Sequence, residues 1–491
     1  MSMFITDPAR RTALAAVLAA SVLSACSLMP RSAPELDLPQ LPDSAAASPA
    51  ELDRWWESFR DPVLDGLVSE ALARNTDVVL AASRVQASQA SLDLVRVNRL
   101  PDVNVSLQGS RAQYSNERPV PGRSRQYNTV SGGFNASYEL DLFGRLSGQR
   151  DVARQVLASS RYALEGLRAS VSAQVARAYF SLRALDADEA LLSQTLVTRE
   201  SALSLRDKQY AGGAISRYDL ELARSERASA AAALAATRSA REQAETALSV
   251  LLGRTPRELV EKMPDRGLAL SVLAVQPEIP AGLSSDLLTR RADVRAAEAD
   301  LAAASLSVEV ARTQWFPTIS LTAALGGESA SLGNLLSSSA RTWNVGAAIA
   351  QPLVGLLSTR ALVAQSEAQR AQVEQTYQQA ARQAYADVLV ALSAARGARE
   401  SLAEIENLFD ATRNARDLAE KSYEAGRSSR LVLLDAERER LSAERQLISS
   451  RLDRVTALVN TYQALGGGWS GSIESGADEA LENPPPAAAA R

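Results

Sequence analysis

The sequence predicts a mainly α-helical fold in which the second half of the chain repeats the first, with a small β part. Residues 210–220 recur without gaps at 423–433, with Tyr, Gly, Ser, Arg and Leu at matching places and an offset of 213. Pro101 recurs as Pro317 with nearly the same offset. In each half the apolar period changes from helical spacing to alternation and back. A period above 200 residues is too long for a solenoid, so it indicates a duplicated half.

Composition argues against catalysis and against nucleic acid as a partner. The chain of 491 residues has a net charge of −4 and no histidine. It therefore lacks the basic excess of nucleic-acid-binding proteins, the commonest general base and the commonest metal ligand. No glycine-rich phosphate loop or metal-ligand motif occurs in the sequence. We expect no enzyme activity, no catalytic residue, no cofactor and no metal.

The N-terminus is typical of a secreted lipoprotein. Two arginines precede an apolar run over 12–22, which is too short to span a membrane and is typical of a signal peptide. Leu-Ser-Ala-Cys at 23–26 closes this run and resembles the bacterial lipobox. The resemblance implies that residues 1–25 are removed and that Cys26 is acylated, which would anchor the chain in the outer membrane. The alternative is an ordinary signal peptide followed by a chance cysteine.

Residues 26–61 are expected to form a lipidated N-terminal strap. Pro, Ser and Ala dominate its first part, which predicts an extended chain. Trp55, Trp56 and Phe59 follow. These aromatic residues could form a belt at the membrane surface, but we expect them to pack against the body.

The first repeat covers 62–252. Apolar residues at helical spacing predict one helix over 62–99. Apolar and polar side chains then alternate over 101–113 and over 127–142, which predicts two strands joined by a long loop. The next part of the repeat returns to helical spacing.

A very long helical hairpin is expected after the strands. Residues 146–211 contain no proline and no glycine pair, so they can form a helix about 100 Å long. Gly212 and Gly213 break this helix, and Ser216 can cap the one that follows. Residues 253–284 contain four prolines and form an irregular connector.

The second repeat covers 285–466 and follows the same plan. Its predicted elements are a helix over 285–314, strands over 317–326 and 341–351, a long helix over 358–424, and a last helix that Ser428 or Ser429 caps and that reaches about Gly466. Residues 467–491 are rich in Gly, Glu, Pro and Ala and are expected to be disordered.

Four strands in two hairpins cannot close a barrel, and an open sheet edge cannot face lipid. If these strands span a membrane, the chain must oligomerise: two copies supply eight strands and three supply twelve. Strands of about ten residues with apolar and polar alternation suit an outer-membrane barrel. We therefore predict a trimeric α-barrel, built from the long antiparallel helical hairpins, that continues into a 12-stranded β-barrel with four strands from each chain.

Several segments carry a resemblance to a known family. They are Trp55-Trp56, Tyr138-Glu-Leu-Asp-Leu-Phe-Gly-Arg145, Arg290-Arg-Ala-Asp-Val294 and Trp315-Phe-Pro-Thr-Ile-Ser-Leu321. The chain resembles TolC-type outer-membrane efflux proteins, in the lipoprotein branch that includes OprM and NodT, from Cys26 to about Gly466. Ala292 departs from the family pattern, which has proline there.

The resemblance implies a passive exit duct for small molecules such as drugs, within a tripartite efflux system. A periplasmic adaptor docks at the hairpin tips, 210–217 and 423–430, and an inner-membrane pump of the RND type supplies the energy. The tip residues that resemble adaptor contacts are Gly213, Ser216, Arg217, Gly426, Ser429 and Arg430. The alternative for the two serines is that they only form the turns. Two alternatives stay open: a duct for type I-like protein secretion, and a periplasmic coiled-coil lipoprotein without a pore.

The resemblance also implies a gate just after the second tip. Matching Leu431-Val-Leu-Leu-Asp-Ala436 to the family motif places Leu431 and Asp435 on a ring that closes the periplasmic mouth. They are one helical turn apart and share a face. Some members have a second Asp where this chain has Val432. The alternative is a packed leucine and an ordinary solvated aspartate.

Other acidic residues are expected to be structural or solvated. Alternation places Glu139 and Asp141 on the polar, lumen side of a strand end. Asp186 and Asp188 are expected to lie on solvated helix faces.

Overall fold

The structure, a computed structural model, describes residues 52–115, 117, 124–275, 290–351 and 355–470. The predicted signal peptide, Cys26 and most of the strap lie outside the described residues, as does 471–491. The chain forms two compact units. One contains 87–158 and 298–377, and the other contains the described residues of 37–86, 159–297 and 378–491. Each unit thus takes residues from both sequence repeats, which are intertwined rather than separate domains.

The fold class predicted from the sequence is confirmed, since the described residues are mainly helical and contain one four-stranded antiparallel sheet. The helices are α1 (Pro62–Arg74), α2 (Thr76–Val97), α3 (Arg145–Ala211), α4 (Arg217–Leu251), α5 (Pro256–Glu261), α6 (Leu270–Leu273), α7 (Ala292–Thr313), α8 (Gly355–Glu424) and α9 (Arg430–Ala464). The strands are β1 (Asp102–Gln113), β2 (Gln126–Leu140), β3 (Thr318–Ser329) and β4 (Arg341–Ala350).

No helix among the described residues combines the length and the apolar character needed to cross a membrane.

The sheet of the first unit joins the two repeats. Its order is β1-β2-β3-β4, so β2 of the first repeat pairs with β3 of the second. The register aligns one residue from each strand in rows across the sheet. Val105, Phe134, Leu325 and Trp343 form one such row. Within one chain, β1 and β4 are edge strands that each pair on one side only.

The two faces of the sheet differ in polarity. The row of Val105, Phe134, Leu325 and Trp343 lies on an apolar face, and the Trp343 side chain is 75% exposed. The next row on the same face contains Val103, Ala136, Ala323 and Val345, and the row between them, on the opposite face, contains Asn104, Asn135, Ala324 and Asn344. Alternation along each strand, aligned by the register, therefore makes one face apolar and one polar.

Two acidic residues connect β2 to α3 in a way that alternation did not predict. The Asp141 carboxylate lies beyond the strand and accepts hydrogen bonds from the backbone nitrogens of Leu146 (2.9 Å) and Ser147 (2.8 Å), so it caps α3. Glu139 makes a bidentate ion pair with Arg145, at 3.0 and 2.7 Å. The start of α3 therefore holds both carboxylates, and their place on the lumen side stays a prediction. Burial works against ionisation of Asp141, but these hydrogen bonds outweigh it and lower its pKa.

The prediction of a single helix over 62–99 is wrong, because Asn75 divides this segment into α1 and α2. Asn75 has ψ of 130°, outside the helical region. Its Oδ1 accepts a hydrogen bond from the backbone nitrogen of Asp77 (2.9 Å), and its Nδ2 donates to the carbonyl of Leu251 (2.8 Å). Asn75 thus starts a new helix and ties it to the end of α4.

The aromatic residues of the strap pack against the second unit, as predicted. Trp55, Trp56 and Phe59 are buried. The Trp55 ring stacks on Tyr462 with 5.6 Å between centroids, and Phe59 meets Phe180 at 4.9 Å. These contacts exclude the alternative of a belt at the membrane surface.

The disorder predicted from 467 onward does not begin there. The backbone nitrogen of Gly468 donates to the carbonyl of Leu52 at 2.8 Å. Trp469 is buried and meets Tyr162 edge to face, with 5.9 Å between ring centroids. The last described residues therefore close over the strap. The rest of the predicted tail lies outside the described residues.

Asp61 joins the strap, α3 and the connector in the second unit. It is fully buried, and its carboxylate accepts hydrogen bonds from the Tyr179 hydroxyl (2.6 Å) and the backbone nitrogens of Val63 (3.0 Å) and Leu268 (3.0 Å). The backbone nitrogen of Gly267 donates to the Tyr179 oxygen at 3.0 Å. A Cβ atom on Gly267 would collide with the Asp61 carboxylate. Burial, reinforced by Asp61, raises the pKa of Tyr179, which stays protonated.

We expect Asp61→Ala to destabilise the second unit by about 2–4 kcal/mol, because it removes a helix cap and leaves buried donors without an acceptor. The midpoint of thermal unfolding, followed by far-UV circular dichroism, should fall by several degrees. Asp265→Ala is the matched control, since that exposed carboxylate makes no side-chain hydrogen bond with the described residues. Equal midpoints for the two variants would contradict this role.

Candidate functional site

The first helical tip closes with a glycine turn. Gly213 has a positive φ of 72°. The backbone nitrogen of Ala214 donates to the carbonyl of Gln209 (2.8 Å), and that of Gly213 donates to Tyr210 (2.9 Å). This pair of bonds is the Schellman arrangement, which a residue in the left-handed region completes. A Cβ atom on Gly213 would meet nothing within 4 Å, so the turn is open to a partner.

The second tip repeats this geometry. Gly426 has φ of 67°, and the nitrogens of Arg427 and Gly426 donate to the carbonyls of Ser422 (2.8 Å) and Tyr423 (2.9 Å). The surroundings of Gly426 are equally open. The repeated sequence therefore has a repeated backbone conformation at both tips.

The caps of the following helices differ. Ser216 and Asp219 form a capping box at the start of α4, in which the nitrogen of Asp219 donates to Ser216 Oγ at 3.2 Å and Asp219 Oδ2 accepts from the nitrogen of Ser216 at 3.2 Å. Ser429 occupies the same place before α9, but its side chain makes no cap hydrogen bond. The residue three positions later is Val432, which has no group to complete a box. The predicted capping role thus holds for Ser216 and not for Ser429.

The two tip arginines also have different surroundings. The Arg217 side chain is exposed and lies 3.7 Å from Glu221. Arg430 lies over the ring of Tyr423, 5.9 Å from its centroid. The Tyr423 hydroxyl also accepts a hydrogen bond from Arg206 at 3.3 Å, which joins the two helical hairpins. The sequence repeat alone did not indicate this cluster.

Leu431 and Asp435 both lie on the exposed face of α9. Leu431 is 60% exposed, whereas the next two leucines, Leu433 and Leu434, are buried. Asp435 lies 3.7 Å from Arg438, with its side chain 60% exposed. The alternative of a packed leucine therefore does not describe Leu431 within one chain, and its role in a gate stays a prediction.

A buried charge cluster lies along the helices that carry the tips. Arg199 on α3 reaches Glu437 (2.6 Å) on α9 and Glu226 (3.4 Å) on α4. Glu226 also lies 3.8 Å from Arg438, the residue beside Asp435. The start of α9 is thus tied to both helices of the first hairpin by charge pairs.

The expectation that Asp186 and Asp188 lie on solvated faces is wrong. Asp188 is only 8% exposed and accepts hydrogen bonds from Arg445 at 2.7 and 3.0 Å, and from Thr237 at 3.0 Å. Asp186 pairs with Arg183 and Arg266. Within the described ranges no group of His, Cys, Asp or Glu is arranged to hold a metal.

Comparison with known proteins identifies the family. The sequence profile of the family described as Outer membrane efflux protein matches residues 67–254 and 283–467. These two matches cover both repeats and both tips.

The chain belongs to the outer membrane efflux protein family. Members are efflux channels, which are transporters rather than enzymes.

Relatives and solved structures within this family cover nearly the whole chain. The antibiotic efflux pump outer membrane protein ArpC of Pseudomonas putida is 33% identical over 94% of this chain and 96% of its own length. The toluene efflux pump outer membrane protein TtgC of Pseudomonas putida is 32% identical over the same shares. The open state of the MtrE outer membrane channel of Neisseria gonorrhoeae has a TM-score of 0.79 and 31% identity, covering 90% of this chain and 99% of that one.

We expect the capping box to make the first tip of this efflux protein more rigid than the second. Asp219→Val should speed amide hydrogen exchange in the first turn of α4 several-fold, and Val432→Asp should slow it in the first turn of α9, because the new carboxylate can accept from Ser429. Glu221→Val is the control, since it removes a carboxylate from the same turn without touching the cap. Faster exchange in α4 than in α9 of the wild type would contradict this.

The protection at the first tip should depend on pH. Hydrogen bonds from Ser216 hold the pKa of Asp219 below its ordinary value of 3.8. A lowered pKa contributes stability that is complete above the ordinary value and is lost as the pH falls through the lowered one. The capping box is therefore intact at neutral pH and opens in acid.

Proposed function

We propose that this protein is a trimeric outer-membrane exit duct for small molecules and the outer component of a tripartite efflux system. The observation that carries the proposal is the four-stranded sheet, which has one exposed apolar face and two edges without a partner. In a bilayer core such edges must pair with other strands, because no water satisfies their backbone groups. Three chains supply twelve strands and close the sheet into a barrel.

The dimensions of the apolar face fit an outer membrane. Along β2, the apolar face extends from Val130 to Leu140. At about 3.3 Å per residue and a strand tilt of roughly 40°, this length corresponds to a band about 25 Å tall, the height expected for outer-membrane barrels. The opposite face, with the asparagines at 104, 135 and 344, then lines a polar lumen.

The helices would form the periplasmic tunnel, an α-barrel from three chains. The two open glycine turns support docking of a periplasmic adaptor, because a partner can approach the backbone at Gly213 and Gly426 without a clash. Ser216, Arg217, Ser429 and Arg430 flank these turns and are the proposed contacts. An inner-membrane pump, of the RND type by family resemblance, would supply the energy through that adaptor.

The mouth of the tunnel would close at Leu431 and Asp435. In a trimer each exposed side chain is present three times around the axis. A ring of leucines makes a dry constriction, and a ring of aspartates attracts cations. Only one of these two positions is charged, and Val432 adds no charge, so this mouth carries less negative charge than one with two aspartates in each chain.

The cargo is proposed from the relatives. ArpC and TtgC are described as components of antibiotic and toluene efflux pumps. We assign this protein the same broad class of small, largely apolar molecules. Export of proteins, as in type I-like secretion, is the alternative.

We expect the double variant Leu431→Ala, Asp435→Ala to conduct more than the wild type. Removing the apolar constriction and its charge opens the mouth, so single-channel conductance in a planar bilayer should rise several-fold. The matched control is Leu205→Ala, Asp207→Ala, which removes the same side chains from α3 of the first hairpin and should leave the conductance unchanged.

The outcomes of this measurement separate the alternatives. Equal, large currents from the wild type and the double variant would keep the pore and remove these gate residues. No current from folded trimers of either protein would favour a scaffold without a pore.

Acylation of Cys26 is tested directly. We expect labelled palmitate to be incorporated into the wild type and not into Cys26→Ser. The variant should still form the pore, because the barrel spans the membrane without the anchor, so conductance of the purified variant should match that of the wild type. Equal labelling of the two proteins would exclude Cys26 as the lipidation site.

A further inference from the structure

A groove of about 630 Å³ lies on the apolar face of the sheet. Its floor is the sheet, and its side is the loop between β3 and β4. The side chains that define it are Val105, Leu107, Phe134, Leu325, Leu336 and Arg341. Most of this lining is apolar, and Arg341 is the one cationic residue among the lining residues.

Two glycines allow the loop to lie directly on the sheet. A Cβ atom on Gly132 would come within 3.0 Å of Leu107 Cδ1 and 3.5 Å of Leu335 Cδ2. A Cβ atom on Gly327 would collide with the carbonyl oxygen of Leu335. A side chain at 327 would therefore displace the loop, and one at 132 would press on Leu107, so the two glycines hold the groove in its shape.

The loop itself is uncharged and presents exposed leucines. Residues 330–340 contain three leucines and no charged residue. Leu336 is 97% exposed and Leu332 is 64% exposed. They extend the apolar face of the sheet beyond the strands. Apolar side chains that are this exposed and contiguous mark a surface covered by a partner or by lipid.

Arg341 stands at the end of this apolar face. It pairs with Gly327 in the register, in the row that also contains Gly132 and Leu107, so its side chain belongs to the same face. The loop lies at the end of the sheet opposite the one from which α3 and α8 start. The Arg341 guanidinium is exposed and forms no hydrogen bond or ion pair with the residues that the structure describes. An arginine at the rim of an apolar surface can keep its stem in hydrocarbon and bind a phosphate with its head.

We propose that this groove binds a phosphorylated, multiply acylated lipid of the outer leaflet. An acyl chain lies along Leu107, Phe134 and Leu325 beneath Leu336, and a headgroup phosphate pairs with Arg341. The occupant follows from two features together: the groove continues the proposed membrane-facing surface, and its rim has the charge that complements a phosphate. The inference rests on the proposed barrel, because the apolar face meets lipid only if the sheet spans the membrane.

The test is native mass spectrometry of the full-length trimer in detergent, with added diphosphorylated hexa-acyl lipid A or its dephosphorylated form. The wild type should retain the phosphorylated lipid more strongly. Arg341→Gln should weaken that binding about tenfold and remove the preference, because one charge-assisted pair is lost. Leu336→Ser should weaken binding of both lipids without affecting folding, since the side chain is almost fully exposed.

Arg125→Gln is the matched control. Arg125 is also exposed, at the same end of the sheet, but lies outside the groove, so its loss should change nothing. Equal binding of the two lipids by the wild type, or unchanged binding by both groove variants, would overturn the proposal. Trimers that conduct but retain no lipid would overturn the lipid site alone, whereas a chain that forms no trimer would overturn the proposed function.

Discussion

The unpaired backbone at the two edges of the sheet is the constraint on which the rest of the structure depends. β1 and β4 present 12 and 10 residues, respectively, along edges that pair with no other strand in the described part of the chain. In hydrocarbon each unsatisfied peptide group costs several kcal/mol. If the apolar face of the sheet lies against hydrocarbon, as proposed, its edges can be satisfied when copies of the chain join edge to edge. Oligomerisation is then a condition of membrane insertion rather than an added feature.

Each sequence repeat supplies two strands and one helical hairpin to this assembly. Differences between the two repeats distinguish the two hairpin tips. Both tips keep the same glycine turn, with closely matched hydrogen bonds. The first tip adds the Ser216–Asp219 box, whereas the second has Val432 in place of the acid and a cluster in which Arg430 and Arg206 meet Tyr423. A helix start without a side-chain cap is easier to unwind or reorient. The second tip, which precedes the proposed gate, is therefore held by contacts with the other hairpin rather than by a side-chain cap.

Periodicity in the sequence predicted the long helices and the strands because those elements are long and their apolar patterns are strong. Periodicity failed where the contacts of a single side chain determine the local structure. Asn75 stops a helix by binding the backbone, although no proline or glycine marks the break. Asp188 is buried because Arg445, 257 positions away in the sequence, covers it. Separations of this kind arise from the packing of one repeat on the other, which no local pattern contains.

Side chains of opposite charge lie close together around the proposed gate. Asp435 lies 3.7 Å from Arg438, and Arg438 lies 3.8 Å from Glu226, which also pairs with Arg199. A ring of aspartates at the proposed gate would therefore be partly neutralised by Arg438 on the same helix, and a cation at the mouth would compete with Arg438 for each carboxylate. Movement of α9 away from the first hairpin would separate Arg438 from Glu226 and Glu437 from Arg199 together. Because Arg199 is largely buried, this separation would leave its charge unpaired unless water enters. A closed mouth at the proposed gate would therefore be stabilised by these charge pairs behind the ring as well as by the ring itself.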